Sequence, residues 1–139
     1  MRIAIINGPN LNLLGKREPA VYGGVSLEEL TQNLQHEFPQ VQFSFFQSNV
    51  EGELINELQR VGFNWDGIVL NPGGYTHTSV ALGDAIAAIT APVVEVHISN
   101  VYAREDFRKI SHVSAKAQGT ITGLGLQGYG LAVQWLLAR

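Results

Sequence analysis

The chain has no cysteine. That absence removes disulfides, thiolate nucleophiles and cysteine-ligated zinc or iron–sulfur centres, and it suits a reducing compartment, so the cytoplasm is the expected location. Long apolar runs are missing too. None approaches the roughly 20 residues of a membrane span. The opening Met1-Arg2-Ile3-Ala4-Ile5-Ile6 meets Asn7, Gly8 and Pro9 before it reaches the length of a signal-peptide core, so no membrane contact is expected. Basic charge is sparse: 9 Lys and Arg stand against 12 Asp and Glu, for a net charge of −3. With no basic tract and no aromatics set among lysines, nucleic acid is not an expected partner, although a small anion is compatible wherever arginines gather. The histidines show no His-x-x-x-His or His-x-His spacing, which leaves no metal site to expect. Repeats, linkers and low-complexity stretches are also lacking. The 139 residues, 45% of them hydrophobic, therefore fit one domain, residues 1–139, around a single core.

What is present is an alternation of short apolar runs with helical patterns. Ile3 to Ile6, Val41 to Phe46, Gly67 to Leu70, Val93 to Val96 and Thr120 to Gly123 read as strands, most of them apolar on consecutive positions, as strands buried on both faces are. Ser26-Leu-Glu-Glu29 is a capping box ahead of Leu27, Leu30 and Leu34, with Pro39 past the end of that helix. Ser48 and Glu51 repeat the pattern before Leu54, Ile55, Leu58 and Val61, and Gly62 supplies a stop. A third helix is expected over Ser79 to Ile89 and a last one over Gln127 to Ala138. The βαβαβαβαβ order with right-handed crossovers gives an α/β fold, a flavodoxin-like three-layer sandwich with a five-stranded parallel sheet. The last helix is apolar nearly all round, through Tyr129, Leu131, Val133, Trp135 and Leu136, so it is either a central core helix or partly covered by another subunit.

Two strands end in turns crowded with reactive side chains, Asn7-Gly-Pro-Asn10 after the first and Asn71-Pro-Gly-Gly-Tyr-Thr-His-Thr-Ser79 after the third. In open α/β sheets ligands bind outside the carboxyl ends of the strands, where such loops stand on a rigid base. The first loop runs on through Lys16-Arg17-Glu18-Pro19 to Tyr22-Gly23-Gly24 and reads as a lid. Arg17 and Tyr22 would cover the site when it folds back, and a nearby cation would favour the Tyr22 phenolate as a base. In the second loop one of Thr78 and Ser79 is expected to cap the next helix, while Asn71 and His77 remain for a ligand. Asp84, within the next helix and seven residues beyond His77, would face the same mouth. In Glu95-Val96-His97-Ile98-Ser99-Asn100 the glutamate and histidine share one face of a strand, so the carboxylate can fix the imidazole for use as a general acid. Arg104 and Arg108 offer a place for an anionic or hydroxyl-rich ligand. A phosphate or flavin binder would want a glycine- and hydroxyl-rich first loop where Leu11, Leu13 and Leu14 stand, and a receiver domain would want acidic residues there.

These blocks, in this order, resemble type II 3-dehydroquinate dehydratase over essentially the whole chain. Asn7 to Gly15 with Arg17-Glu18-Pro19 and Tyr22-Gly23 is similar to the family's first signature, Asn71-Pro72-Gly73 with Tyr75 to Ser79 to the second, and Glu95 to Asn100 with Arg104-Glu105 and Arg108 to the third. The resemblance implies trans-dehydration of 3-dehydroquinate to 3-dehydroshikimate through an enolate, in the shikimate pathway or quinate breakdown, without a cofactor. By it Tyr22 is the proton acceptor, His97 the donor and Arg17 the transition-state stabiliser, while Asn10 helps hold the water that meets the enolate oxygen. Asn71, His77, Asp84, Ile98, Ser99 and Arg108 would contact substrate, and a homo-dodecamer, a tetramer of trimers, would be the assembly. Gly74 stands where the family usually has alanine, Gly83 where arginine is common and Tyr102 where histidine is common.

Overall fold

The structure, a computed structural model, describes residues 1–16, 20 and 24–139. Strands β1 (Arg2–Asn7), β2 (Gln42–Gln47), β3 (Gly67–Asn71), β4 (Val93–His97) and β5 (Gly119–Thr122) alternate with helices α1 (Leu27–Glu37), α2 (Glu51–Val61), α3 (Val80–Ala88) and α4 (Gln127–Leu137). All neighbouring strands pair parallel, in the order β2-β1-β3-β4-β5. The chain leaves β1 toward one edge and returns on its other side at β3, so the strand order reverses between these two, where a parallel sheet opens a crevice for ligands. This is the flavodoxin-like sandwich that the sequence pattern predicts.

Side chains alternate across the sheet and meet two apolar layers. Ile3 and Ile5 pack with Leu30 and Leu34 of α1 and Tyr129, Val133 and Leu136 of α4. Ala4 and Ile6 pack on the other face with Leu54 and Leu58 of α2 and Leu82 and Ile86 of α3. There are thus two core layers, one on each face, in place of the single core expected. α4 is a core helix along Gly128, Tyr129, Gly130, Ala132, Val133 and Leu136, while Leu131 and Trp135 stay exposed. Among the described residues no helix is long and apolar enough to cross a membrane.

One local expectation is corrected, while Gly62 stops its helix as expected. Ser48 does not cap α2: the helix begins at Glu51 after Val50, and the Ser48 hydroxyl accepts from the Val50 N–H (2.9 Å) and donates to Glu53 (3.0 Å), not Glu51. Gly62 ends that helix with right-handed backbone, φ −67°. A Cβ there would lie 2.4 Å from Ile89 Cγ2, so the glycine is a packing residue, not a left-handed cap. Ser26 and Ser79 do cap their helices, accepting from the Glu29 and Leu82 N–H groups at 3.1 and 3.0 Å.

Candidate active site

Strands β1, β3 and β4 run one residue further than the apolar pattern alone suggests, and the added residues are Asn7, Asn71 and His97. Being the last members of their strands, they are fixed by the sheet, and Asn7 pairs directly with Asn71. The two loops that follow are clamped together. The Gly8 N–H donates to the Asn71 carbonyl at 2.7 Å, and a Cβ on Gly8 would sit 2.7 Å from the Pro72 oxygen. Asn10 adopts φ 71°, a left-handed conformation that asparagine tolerates, and its N–H donates to Asn49 Oδ1 at 2.9 Å. The chain therefore turns sharply over the strand ends.

Above these ends lies a cavity of about 170 Å³. Asn10, Asn71, His77, His97, Ile98, Ser99 and Arg108 line it, and Arg104 joins them. Asp84 does not. The 3-10 turn Gly73–His77 ends before α3 begins at Val80, so no continuous helix stacks Asp84 under His77, and the carboxylate is exposed on α3 outside the cavity lining. Arg17 and Tyr22 lie outside the described residues.

The cavity's chemical centre is the pair on β4. Glu95 is fully buried, and its Oε2 accepts from His97 Nε2 at 2.5 Å and from the Thr76 hydroxyl at 2.6 Å. Oε1 accepts from Ser114 at 2.5 Å and more weakly from Thr120 at 3.4 Å. Ser111 completes the web by sharing a hydrogen bond of 2.6 Å with Thr76 while accepting the Val113 and Ser114 N–H groups. Burial alone would push the Glu95 carboxyl up, yet the donated hydrogen bonds and the His97 ring outweigh it and hold the group below the usual carboxylate range. An ionised Glu95 takes the Nε2–H, which leaves Nδ1 as the His97 nitrogen free to exchange a proton in the cavity.

His77 lies beside it, ring centroids 6.4 Å apart and nearly parallel. Its Nδ1–H donates to the Ile110 carbonyl at 2.7 Å, and Nε2 is left buried with no partner among the described residues, an acceptor ready for a ligand hydroxyl. Arg108 is braced by Glu105, with Nε 3.2 Å from Oε1, and the guanidinium holds that exposed carboxyl below its ordinary value. Ile98 and Ser99 turn their carbonyls away, toward the Gly125 N–H (3.0 Å) and the Thr122 hydroxyl (3.2 Å). The sequence pattern missed Ser111, Ser114 and Tyr129. The serines come from an irregular segment with no periodicity, and Tyr129 looked like one more apolar residue of the last helix.

A parallel sheet carrying a carboxylate-fixed imidazole and polar side chains at its switch point defines an α/β enzyme of the acid–base kind. The chain belongs to the dehydroquinase class II family, which matches residues 1–137. It is 56% identical to a 3-dehydroquinate dehydratase of an Exiguobacterium species, covering 99% of this chain and 94% of the relative, and 52% identical to that of Fusobacterium nucleatum, covering 99% and 97%. Its fold superposes on the crystal structure of the type II dehydroquinase from Butyrivibrio crossotus with a TM-score of 0.95 at 45% identity, over 99% of this chain and 97% of the other.

Proposed function

We propose that this chain dehydrates 3-dehydroquinate to 3-dehydroshikimate by a stepwise route through an enolate, with no cofactor and with the cytoplasm as its compartment. The observation that carries the chemistry is the Glu95–His97 pair, which points one free imidazole nitrogen at a polar cavity on a rigid strand end. Tyr22 takes the proton alpha to the ketone, with Arg17 favouring its phenolate. Hydrogen bonds, one through a water held by Asn10, meet the enolate oxygen as charge develops there. His97 Nδ1 then gives its proton to the leaving hydroxyl, which departs as water when the ring double bond forms. Ile98, Ser99 and Arg108 hold the substrate carboxylate and hydroxyls with Asn71 and His77, so that the ring is fixed between base and acid.

Asp84 needs a further step. Exposed and off the cavity of its own chain, it would reach substrate only in the cavity of a neighbouring copy, which fits assembly as a homo-oligomer, here proposed as a dodecamer of four trimers. The decisive experiment follows the conjugated enone product by ultraviolet absorbance on adding 3-dehydroquinate. Wild type is expected to give steady turnover, with Tyr22→Phe and His97→Ala each slower by at least about 10²-fold and substrate binding within a modest factor. No enone from the wild type would sink the reading, and near-normal turnover in Tyr22→Phe would reassign the base.

A further inference from the structure

Beneath the cavity, on the face of the sheet opposite His97, one hydroxyl joins the two strands that form the switch point. Tyr129 of α4 is fully buried among apolar side chains, and its O–H donates to Asn7 Oδ1 at 2.6 Å. Asn71 Nδ2 donates to the same phenol oxygen at 2.9 Å, and Asn71 Oδ1 accepts the Gly73 N–H at 3.1 Å. Each link fixes the direction of the next. An amide oxygen only accepts, so the phenol must give its proton to Asn7 and therefore accepts from Asn71. Turning the Asn71 amide over would set its NH₂ against the Gly73 N–H, donor against donor. Asn7 and Asn71 are themselves nearly inaccessible, at 2% and 3% exposure, so water does not replace a lost partner cheaply.

We infer that Tyr129 is a positioning residue for substrate recognition. It is not among the residues that line the cavity, but it locks in one orientation the amide of Asn71, which is one of them. Burial pushes the phenol well above its ordinary value even against the Asn71 hydrogen bond, so it remains a proton donor over the whole working range. The inference rests on the dehydratase reading only in its choice of substrate.

The test is a double-mutant cycle in kcat and KM with 3-dehydroquinate, using wild type, Tyr129→Phe, Asn71→Ala and the double variant. Tyr129→Phe is expected to raise KM about tenfold with kcat within about threefold, because a binding contact is misaligned and the proton-transfer groups are not. In the Asn71→Ala background the same change should cost nothing further. An undiminished effect in that background, or an unchanged KM in Tyr129→Phe, would overturn the inference; a wild type without turnover would strike the dehydratase reading instead. Should Tyr129→Phe fail to fold, Asn7→Ala serves the same cycle. It keeps the tyrosine but frees its proton to turn onto Asn71 Oδ1, and it should raise KM alone and do nothing on top of Asn71→Ala. Additive effects there would equally overturn the role.

Discussion

A carboxylate buried to zero exposure beside an imidazole is costly unless every lone pair is used, and Glu95 uses its oxygens on His97, Thr76, Ser114 and Thr120. Glu95→Gln keeps the shape but reverses one end of this web, since an amide NH₂ cannot accept from a hydroxyl. The variant is expected to lose about 10²-fold in kcat with KM little changed, because the charge that orients and supports the protonated His97 is gone. It should also respond to acid differently. The folded Glu95 carboxyl lies below its unfolded value, so its stabilisation is complete above the ordinary carboxylate range and is lost as pH falls toward the lower, folded value. Thermal melts between about pH 5 and pH 3 should therefore show wild-type Tm falling more steeply than that of Glu95→Gln. Parallel slopes would mean that folding leaves the carboxyl at its ordinary value, and a shallower fall in wild type than in Glu95→Gln would mean that it is protonated in the folded state. The pair itself was legible in the sequence, because residues two apart on a strand share a face. Its hydroxyl partners were not, since Ser114 arrives from 19 positions further along the chain through a segment with no regular pattern.

At the scale of elements, strands and helices were readable because a doubly covered parallel strand is apolar without alternation and its helices carry periodic stripes. The errors fall at the ends. Polar Asn7 and Asn71 look like loop residues by composition, yet each is the last member of its strand, where the register holds it better than a loop would. Ser48 imitated a cap, and only the fold shows that it spends its hydroxyl on Glu53. The close approach of the two site loops was equally hidden. Gly8 lies so near Pro72 that any side chain must push the loops apart. Gly8→Ala is expected to lower stability by about 1–3 kcal/mol, read as a fall in the urea midpoint at constant slope, and to reduce kcat/KM at the same time because Asn10 moves away from Asn71. A variant that lost stability alone would show that the clamp serves only the fold.

For the whole molecule, one chain supplies a cavity but not every group proposed to reach its ligand. Asp84 lies on the exposed face of α3, one turn from the exposed Val80, while Phe107 and Ile110 stand exposed beside His77, which lines the cavity. Exposed apolar side chains beside a cavity residue, together with an acidic group outside its own chain's cavity lining, are what a site shared between copies presents when viewed as one chain. Sharing can be tested without a structure of the assembly. Asp84→Ala and His97→Ala should each be poor enzymes at low substrate concentration. If Asp84 serves its neighbour, co-expressing the two chains places an intact His97 opposite an intact Asp84 in about a quarter of the sites of a random one-to-one mixture, so activity returns above the sum of the two parents. The intact Asp84 then comes from the chain that lacks His97. Were Asp84 to act on its own chain's cavity, every site in the mixture would carry one of the two lesions, and the mixture would show no more activity than its parents.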